Sequence, residues 1–252
     1  MAQATFLERL DFFQPTDYPV STWLLIGASL QCLIIATVPR NVALFPAVIL
    51  LSYRLIKAYL QSSSRSHNPI TEGVIYDRTT TQFPAADGTL TAPPSSESIT
   101  VLVLGASFNH PSGRLCPGAD RMGELLTSMW ADAEANREKW GYLGNTPAMV
   151  AEKDMDSSSG IRNNHGAGKT LLYLSYWKSL AGLQAFAKAA PHMEGFMWWE
   201  KGAATQFPHI GIMHETYEVP AGNWENIYHN CKPFGISKFL FLSSAKLWTY
   251  FS

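Results

Sequence analysis

The apolar residues between positions 99 and 220 constrain the fold of this chain most, because their spacing alternates between the period of a strand and that of a helix. Residues 99–108 form an apolar run with Thr-Val-Leu-Val-Leu at its centre, which is typical of a strand. A weak edge strand is predicted over 148–152. Between them lies an amphipathic helix with apolar residues three or four apart, namely Met122, Leu125, Leu126, Met129, Trp130 and Ala133.

The second half of this region repeats the pattern. Residues 169–177 are apolar, β-branched and aromatic and predict a strand. Ser179 is a candidate N-cap for a helix, and residues 209–220 alternate as a strand that ends at a proline. The apolar face of that helix consists of Leu180, Leu183, Phe186, Ala187 and Ala190. The order strand, helix, weak strand, strand, helix, strand predicts an α+β fold of the ferredoxin-like βαββαβ type.

One face of such a sheet is left without helices. The strand 171–177 is apolar on both faces, with Leu172 and Leu174 on one and Tyr173 and Trp177 on the other. The natural cover for the second face is the sheet of another copy. The sequence therefore predicts a homodimeric α/β barrel with a cavity between each sheet and its helices.

Two apolar runs precede this region, over residues 23–38 and 42–53. Each is shorter than the roughly 20 residues that cross a bilayer, but together they predict a pair of membrane helices over 22–60. The basic residues Arg54, Lys57 and Arg65 follow the second run, so we expect the larger part of the chain on the cytoplasmic side, at the endoplasmic reticulum. Two buried helices of a soluble domain are the alternative.

The remaining boundaries follow from composition. Residues 1–21 form an N-terminal lead, residues 61–98 are rich in Ser, Thr and Pro like a linker, residues 99–235 form the barrel domain, and residues 236–252 form a tail. A net charge of -1 gives no electrostatic case for binding nucleic acid. The cysteines Cys32, Cys116 and Cys231 are too far apart to suggest a disulfide framework or a zinc knuckle.

Two short motifs resemble known sites, but each lacks one residue that the site requires. His214-Glu215 would begin the zinc motif H-E-x-x-H, but Glu218 stands where the motif requires its second histidine. The run from Gly166 to Thr170 resembles the end of a phosphate-binding loop, but its first glycine is replaced by Asn163. No metal site is predicted.

The helix after the second strong strand carries a family resemblance. Its residues fit the pattern W-x-S-x-x-x-L-x-x-F-A-x-x-x-x-H from Trp177 to His192, which resembles the dimeric α/β-barrel superfamily containing the antibiotic biosynthesis monooxygenases. Further motifs are similar to a membrane-anchored branch found in fungal secondary-metabolite clusters. These motifs are Asn109-His-Pro-x-Gly113, Pro117-Gly118, Gly141-Tyr-Leu-Gly144, His214-Glu-Thr-Tyr217 and Trp224-Glu-Asn-Ile-Tyr228. The resemblance covers roughly residues 70 to 235 and the N-terminal apolar pair.

This resemblance implies a membrane-bound monooxygenase that oxygenates a hydrophobic polyketide or terpenoid with dioxygen and without a cofactor. A base removes a proton, a donor holds the resulting oxyanion, and an apolar pocket excludes water. Two alternatives remain open. One is a haem enzyme of the aldoxime dehydratase type, with His192 as axial ligand, and the other is a non-redox cyclase, isomerase or binding partner.

Four residues are candidates for the chemistry: His192, His214, Glu215 and Tyr217. His214 and Glu215 point to opposite faces of a strand, so only one of them faces the cavity. Glu225 and Tyr228, predicted to be one helical turn apart, would close the cavity mouth, unless they form a solvated cap. The predicted walls are Tyr173, Trp177, Phe196, Trp198 and Trp224. For His192 the alternative is a structural hydrogen bond to a backbone carbonyl at a helix end.

Overall fold

A computed structural model describes residues 17–18, 20–83, 96–151, 169–238 and 241–244. The chain divides into two compact units, residues 1–74 and residues 75–252. Residues 166–168, which begin the run that resembles a phosphate-binding loop, lie outside the described residues.

The first unit consists of helices α1 (Val20–Thr37), α2 (Arg40–Ala43) and α3 (Phe45–Ser62). Pro46 lies in the first turn of α3, where its missing N–H has no intrahelical partner to lose. By length and composition, α1 and the segment Asn41–Ser62 each suffice to cross a membrane. No residue of α1 or α3 is buried within the protein.

The second unit is built on a five-stranded antiparallel sheet. Its strands are β2 (Ile99–Phe108), β3 (Tyr142–Asn145), β4 (Met149–Ala151), β5 (Lys169–Trp177) and β6 (Ile210–Val219). The order across the sheet is β3-β5-β2-β6, with β4 also paired to β5. This arrangement confirms the predicted α+β, ferredoxin-like βαββαβ fold.

Helices cover one face of this sheet. They are α4 (Ala119–Ala135), the short α5 (Arg137–Trp140), α6 (Leu180–Ala187) and α7 (Ala190–Trp198), followed by a kinked turn at Trp199–Ala203 and the short α8 (Ala204–Gln206). The apolar stripe of α4 is buried as predicted, through Met122, Leu125, Met129 and Ala133. Ser179 caps α6 by accepting a hydrogen bond from the Gly182 N–H at 3.1 Å.

Gly182 is required where α6 passes the end of α5. A Cβ atom at this position would collide with the Trp140 carbonyl oxygen, which is backbone and cannot rotate away. Gly182→Ala is therefore expected to lower the free energy of unfolding by about 1–3 kcal/mol. Gly123→Ala is the control, because a Cβ there meets nothing and an alanine should stabilise α4 by about 0.5–1 kcal/mol. Chemical denaturation of both variants measures the difference, and equal effects would contradict this packing.

A second, three-stranded sheet contains β1 (Ile75–Gln82), β7 (Tyr228–Cys231) and β8 (Phe241–Ser244), in the order β7-β1-β8. The segment 61–98, predicted as a linker, thus contributes a strand, and the predicted tail contributes another. The Ser- and Thr-rich composition misled the prediction, because threonine is also a strand former. The buried Thr81 is satisfied by the Asn226 side chain, whose Oδ1 accepts bonds from the Thr81 N–H at 2.7 Å and hydroxyl at 2.8 Å.

The face of the large sheet away from the helices is partly covered by the chain itself. At the end of the sheet where β2 begins, three side chains from outside the sheet cover this face, namely Phe83, Ile236 and Trp224. They pack against the sheet residues Ile99, Val101, Tyr176 and Val219. Further along this face, Val103, Leu172 and Leu174 are only half-buried, and Met213 is exposed. We call the part of this face formed by Val103, Leu172, Leu174 and Met213 the open face.

Candidate active site

A cavity of ≈ 300 Å³ lies between the large sheet and its helices. From the sheet it is lined by Leu104, Gly105, Ala106, Tyr173, Ile212 and His214. From the helical layer it is lined by Met122, Leu125, Leu126 and Met129 of α4 and by Pro191, His192, Gly195, Phe196, Trp198, Trp199 and Glu200. The side chains that carry polar atoms are therefore few in a mainly apolar wall, which is the usual composition of a small-molecule site.

The register of the sheet decides which side of β6 faces the cavity. Leu104 of β2 is paired with His214 of β6 on one side and with Tyr173 of β5 on the other. The three side chains therefore form one row across the sheet, on the face that the helices cover. His214 therefore faces the cavity. The alternation of β6 alone could not distinguish it from Glu215.

Glu215 and Tyr217 lie on the opposite face of β6. They are paired with Val103 and Val101, whose side chains also point away from the helices. The Tyr217 hydroxyl donates a hydrogen bond to the Glu215 carboxylate, and this bond raises the pKa of the tyrosine. Two of the four residues predicted as candidates for the chemistry, Glu215 and Tyr217, thus contact each other, but outside the cavity.

His192, near the start of α7, is a cavity residue whose pKa is shifted by its surroundings. Burial lowers its pKa below the ordinary value of 6.5, backbone hydrogen bonding to Ala187 acts in the opposite direction, and the nearby His214 lowers it further. Its ring packs edge-on to Phe186 at 6.1 Å between centroids. His192 is therefore a neutral imidazole at neutral pH and can accept a proton there.

The lowered pKa of His192 makes stability depend on pH. Since the unfolded chain binds the proton more tightly, the free energy of unfolding should fall as pH drops from 6.5 through the lowered pKa, and should not depend on this group above 6.5. Urea unfolding at pH 7.5 and at acidic pH measures the effect. His192→Gln should weaken this dependence, and the exposed His229→Gln should not; an unchanged dependence in His192→Gln would contradict the assignment.

Tyr173 is the tyrosine that the structure places on the cavity wall. Burial raises the pKa of its hydroxyl, and its ring lies 6.1 Å from that of Trp130. Among the described residues, this hydroxyl has no hydrogen-bond partner. A protonated phenol without a protein partner is available to donate to a bound ligand.

The other predicted wall residues divide into two groups. Phe196 and Trp198 line the cavity as predicted. Trp177 is instead fully buried in the core, 4.9 Å from the Phe186 ring, with its indole N–H bonded to the Ser175 hydroxyl. It projects from the end of β5 beneath α6, away from the cavity.

The residues predicted at the cavity mouth lie elsewhere. Trp224 packs against Phe83 and donates its indole N–H to the Glu97 carbonyl at 2.7 Å. Glu225 is exposed, and Tyr228 begins β7, so the two are not a helical turn apart. That prediction is wrong because Asn226 turns the chain into the small sheet by bonding to Thr80 and Thr81.

Several cavity residues were not predicted as site residues. Met122, Leu125 and Met129 were interpreted only as the core stripe of α4, although a stripe that faces a sheet can also bound a cavity. Ile212 could have been found from His214 by counting two residues back along β6. Glu200 could not have been found from periodicity, because it lies in the kinked turn after α7 and belongs to no regular helix or strand.

His192 was also the residue offered as an axial ligand to haem. A metal-bound histidine usually donates its second ring N–H to a carboxylate, a carbonyl or water. Nδ1 of His192 is buried and makes no hydrogen bond of ordinary geometry, although the Ala187 backbone is close enough to influence the pKa of the ring. This arrangement does not fit an axial ligand. Within the described residues, no three His, Cys, Asp or Glu side chains converge on one point.

A ferredoxin-like sheet with an apolar cavity under its helices, and with two histidines and a tyrosine on that cavity, has the form of a small-molecule site in an α+β fold. Residues 99–236 match the model of the family described as Monooxygenase af470-like, and the chain belongs to this family. Its role is accordingly monooxygenase-like, and the family and the enzyme class predicted from the motifs are confirmed.

Similar proteins were found by sequence and by structure. The chain is 29% identical over 224 residues to Monooxygenase af470 of Aspergillus fumigatus, across 89% of this chain and 76% of that protein. Aldoxime dehydratase OxdRE in complex with butyraldoxime aligns at 13% identity and a TM-score of 0.43, over 67% of this chain and 38% of that one. A Deinococcus radiodurans protein described as an antibiotic biosynthesis monooxygenase aligns at 16% identity and a TM-score of 0.28, over 51% of this chain and 98% of that one.

Proposed function

We propose that this protein is a membrane-attached monooxygenase that uses dioxygen, without a bound cofactor, to oxidise a hydrophobic polyketide or terpenoid intermediate of fungal secondary metabolism. The observation that carries the proposal is the composition of the cavity. It is mainly apolar and presents His192, His214 and the unpartnered Tyr173 hydroxyl to whatever it binds. These groups suffice for removing a proton and holding the oxyanion that results.

The reaction converts a CH₂ group beside a conjugated carbonyl or phenol into a carbonyl. His214 removes one proton from this carbon, and the charge moves onto the conjugated oxygen, where Tyr173 donates a hydrogen bond. The carbanion gives one electron to dioxygen, and the two radicals combine into a peroxide. Loss of the second proton then breaks the O–O bond and releases water. Substrate and dioxygen supply all electrons and atoms, so no external reductant is needed.

The remaining cavity residues set the conditions for this chemistry. His192, kept neutral by burial, accepts and returns protons beside His214. The methionines of α4, with the half-exposed Ile212 and Phe196, match an apolar substrate, and such a substrate would displace water from this part of the cavity when it binds. Tyr217 and Tyr228 lie away from the cavity, so Tyr173 is the tyrosine that we assign to hold the oxyanion.

Deletion of the gene in its host tests this function. The metabolite that accumulates should be hydrophobic, and the next metabolite should contain one oxygen atom more and two hydrogen atoms fewer. An accumulating compound with the same elemental composition as its product would instead identify a cyclase or an isomerase. The haem alternative would require a Soret band in the purified protein that disappears in His192→Ala.

We also propose that the protein is a homodimer formed through the open face. Apolar side chains that are half-buried or exposed on a sheet, like the four of the open face, favour cover by another sheet. Leu174→Asp places a charge on this face and should convert the dimer to a monomer in sedimentation experiments. Ser128→Asp, on the exposed side of α4, is the control and should remain dimeric. A monomeric wild-type protein would contradict the proposal.

The membrane attachment is proposed from the two N-terminal helices. Both present apolar side chains that no part of their own unit buries. Attachment to the endoplasmic reticulum, with the second unit in the cytoplasm, would give the enzyme access to a substrate dissolved in the bilayer. Resistance of the membrane-bound chain to extraction by alkaline carbonate tests this attachment.

A further inference from the structure

We infer that α1 crosses the bilayer whereas α3 lies along its surface, with Arg54 and Lys57 against the phosphates of anionic lipids. This inference rests on the membrane attachment proposed above and not on the reaction. It replaces a hairpin of two spanning helices by one span and one interfacial helix. The two arrangements place the N-terminus on different sides of the membrane relative to the enzyme unit.

α1 has the character of a spanning helix. Its 18 residues contain no charge, and at 1.5 Å per residue they extend for about 27 Å, close to the thickness of a hydrocarbon core. Leu24, Leu25 and Leu33 are each at least 60% exposed and lie on different sides of the helix. Apolar side chains all around a helix favour lipid on every side.

α3 differs because its two charged side chains share one side. Arg54, Lys57 and Gln61 fall within about 60° of one another on the helix circumference. Val48, Leu55 and Ile56 occupy the opposite side and are exposed. A helix with an apolar side and a basic side lies in the membrane interface, with the apolar side inward.

Spanning by α3 would place charge in the middle of the bilayer. Arg54 is the tenth of the 18 residues of α3, and Lys57 is the thirteenth. Each cation at the centre of a span disfavours insertion by about a hundred-fold. The sequence has no Asp or Glu between Asp17 and Glu72 that could pair with them. Along the surface, the same charges are favourable beside anionic headgroups.

The connection between the helices suits this arrangement. The Gln31 side chain donates a hydrogen bond to the Ala43 carbonyl at 2.9 Å, which holds α2 beside α1 rather than beyond its end. Gln31 lies six residues before Thr37, so α3 begins about 9 Å below the end of α1. Interfacial helices lie about 5–10 Å deep. Within the first unit as described, α1 and α3 do not pack along each other's length, as the arms of a spanning hairpin would.

Aromatic residues accompany the cations of α3. Lys57 lies 5.9 Å from the centre of the Tyr53 ring, and Arg65, just beyond the helix, lies 5.9 Å from that of Tyr59. Tyrosines concentrate at membrane–water interfaces, where the ring is apolar and the hydroxyl is wet. The kind of partner that this surface fits is therefore a bilayer containing anionic phospholipid.

Glycosylation mapping of the full chain in microsomes tests the topology. The sequence contains no N-x-S/T acceptor, so any glycosylation that is observed must occur on an added tag. An acceptor tag is added at the N-terminus in one variant and at the C-terminus in another, and carbonate extraction confirms insertion. One span predicts that only one of the two tags is glycosylated. The same outcome for both tags, whether modified or unmodified, overturns the inference.

Retention of anionic lipid tests the surface contact. The full chain is reconstituted in phosphatidylcholine vesicles with phosphatidylserine and extracted in mild detergent, and the phosphatidylserine bound to the chain is measured. The double variant Arg54→Gln, Lys57→Gln should retain about 25-fold less phosphatidylserine, because each cation contributes about five-fold. The control, Arg78→Gln with Lys188→Gln, carries the same change in charge in the second unit and should leave retention unchanged. Equal losses in both double variants overturn the contact.

Discussion

Replacing His214 by glutamine is expected to lower turnover by about 10²- to 10⁴-fold, the range for loss of a general base. The neighbouring substitution Glu215→Gln is the control and should change turnover by less than about two-fold, because Glu215 points to the other face of the same strand. Both residues lie on the edge strand β6 and are exposed, so their effects on folding should be similar. Complementation of a gene-deletion strain, with substrate and product quantified by mass spectrometry, measures both.

The comparison separates the two faces of one strand. A large loss in Glu215→Gln with little loss in His214→Gln would place the chemistry on the open face and contradict the assignment of the cavity as the active site. A large loss in both variants would point to a site completed by a second copy across that face. Either interpretation requires that His214→Gln and Glu215→Gln have equal thermal stability.

Replacing Tyr173 by phenylalanine is expected to lower turnover by about 10²- to 10³-fold, the usual effect of removing one oxyanion donor. The substitution removes only the hydroxyl, which has no protein partner among the described residues, so the fold should keep its stability. Tyr217→Phe is the matched control, because it removes a hydroxyl that is bonded to Glu215 on the opposite face. Its turnover should stay within about two-fold of the wild type.

A comparison of Tyr173→Phe with Tyr173→Ala distinguishes a hydrogen-bond donor from a residue that only fills space in the wall. If Tyr173 only fills space, phenylalanine preserves activity and alanine does not. If it donates a hydrogen bond to the oxyanion, phenylalanine and alanine lose similar amounts of turnover. Full activity in Tyr173→Phe would remove the proposed donor from the mechanism.

The periodicity of the sequence sufficed for the order of the main elements and for the faces of β6. Strand alternation alone places His214 and Glu215 on opposite faces, but it does not identify the inner face. That assignment depends on the pairing of Leu104 with both His214 and Tyr173, which joins strands distant in sequence. A tertiary register of this kind has no local signal.

Composition was a poorer guide than periodicity. Thr79 to Gln82 belong to a Ser- and Thr-rich segment, yet all four are buried. Their hydroxyl and amide groups need partners to be buried, and Asn226, almost 150 residues away, provides them for Thr80 and Thr81. Trp177 shows the same limit for apolar residues, because a large aromatic side chain fits a core or a pocket wall equally well by composition.

We propose above that dioxygen reacts with a substrate held between His214 and Tyr173 in a protein without a bound cofactor. Incubating the purified full chain with the accumulated metabolite under ¹⁸O₂ tests this claim most directly, with the absorbance spectrum of the same sample recorded. We expect one ¹⁸O atom in the product, one in water, and no flavin or haem absorbance. Unchanged turnover without oxygen, or a product free of ¹⁸O, would contradict it.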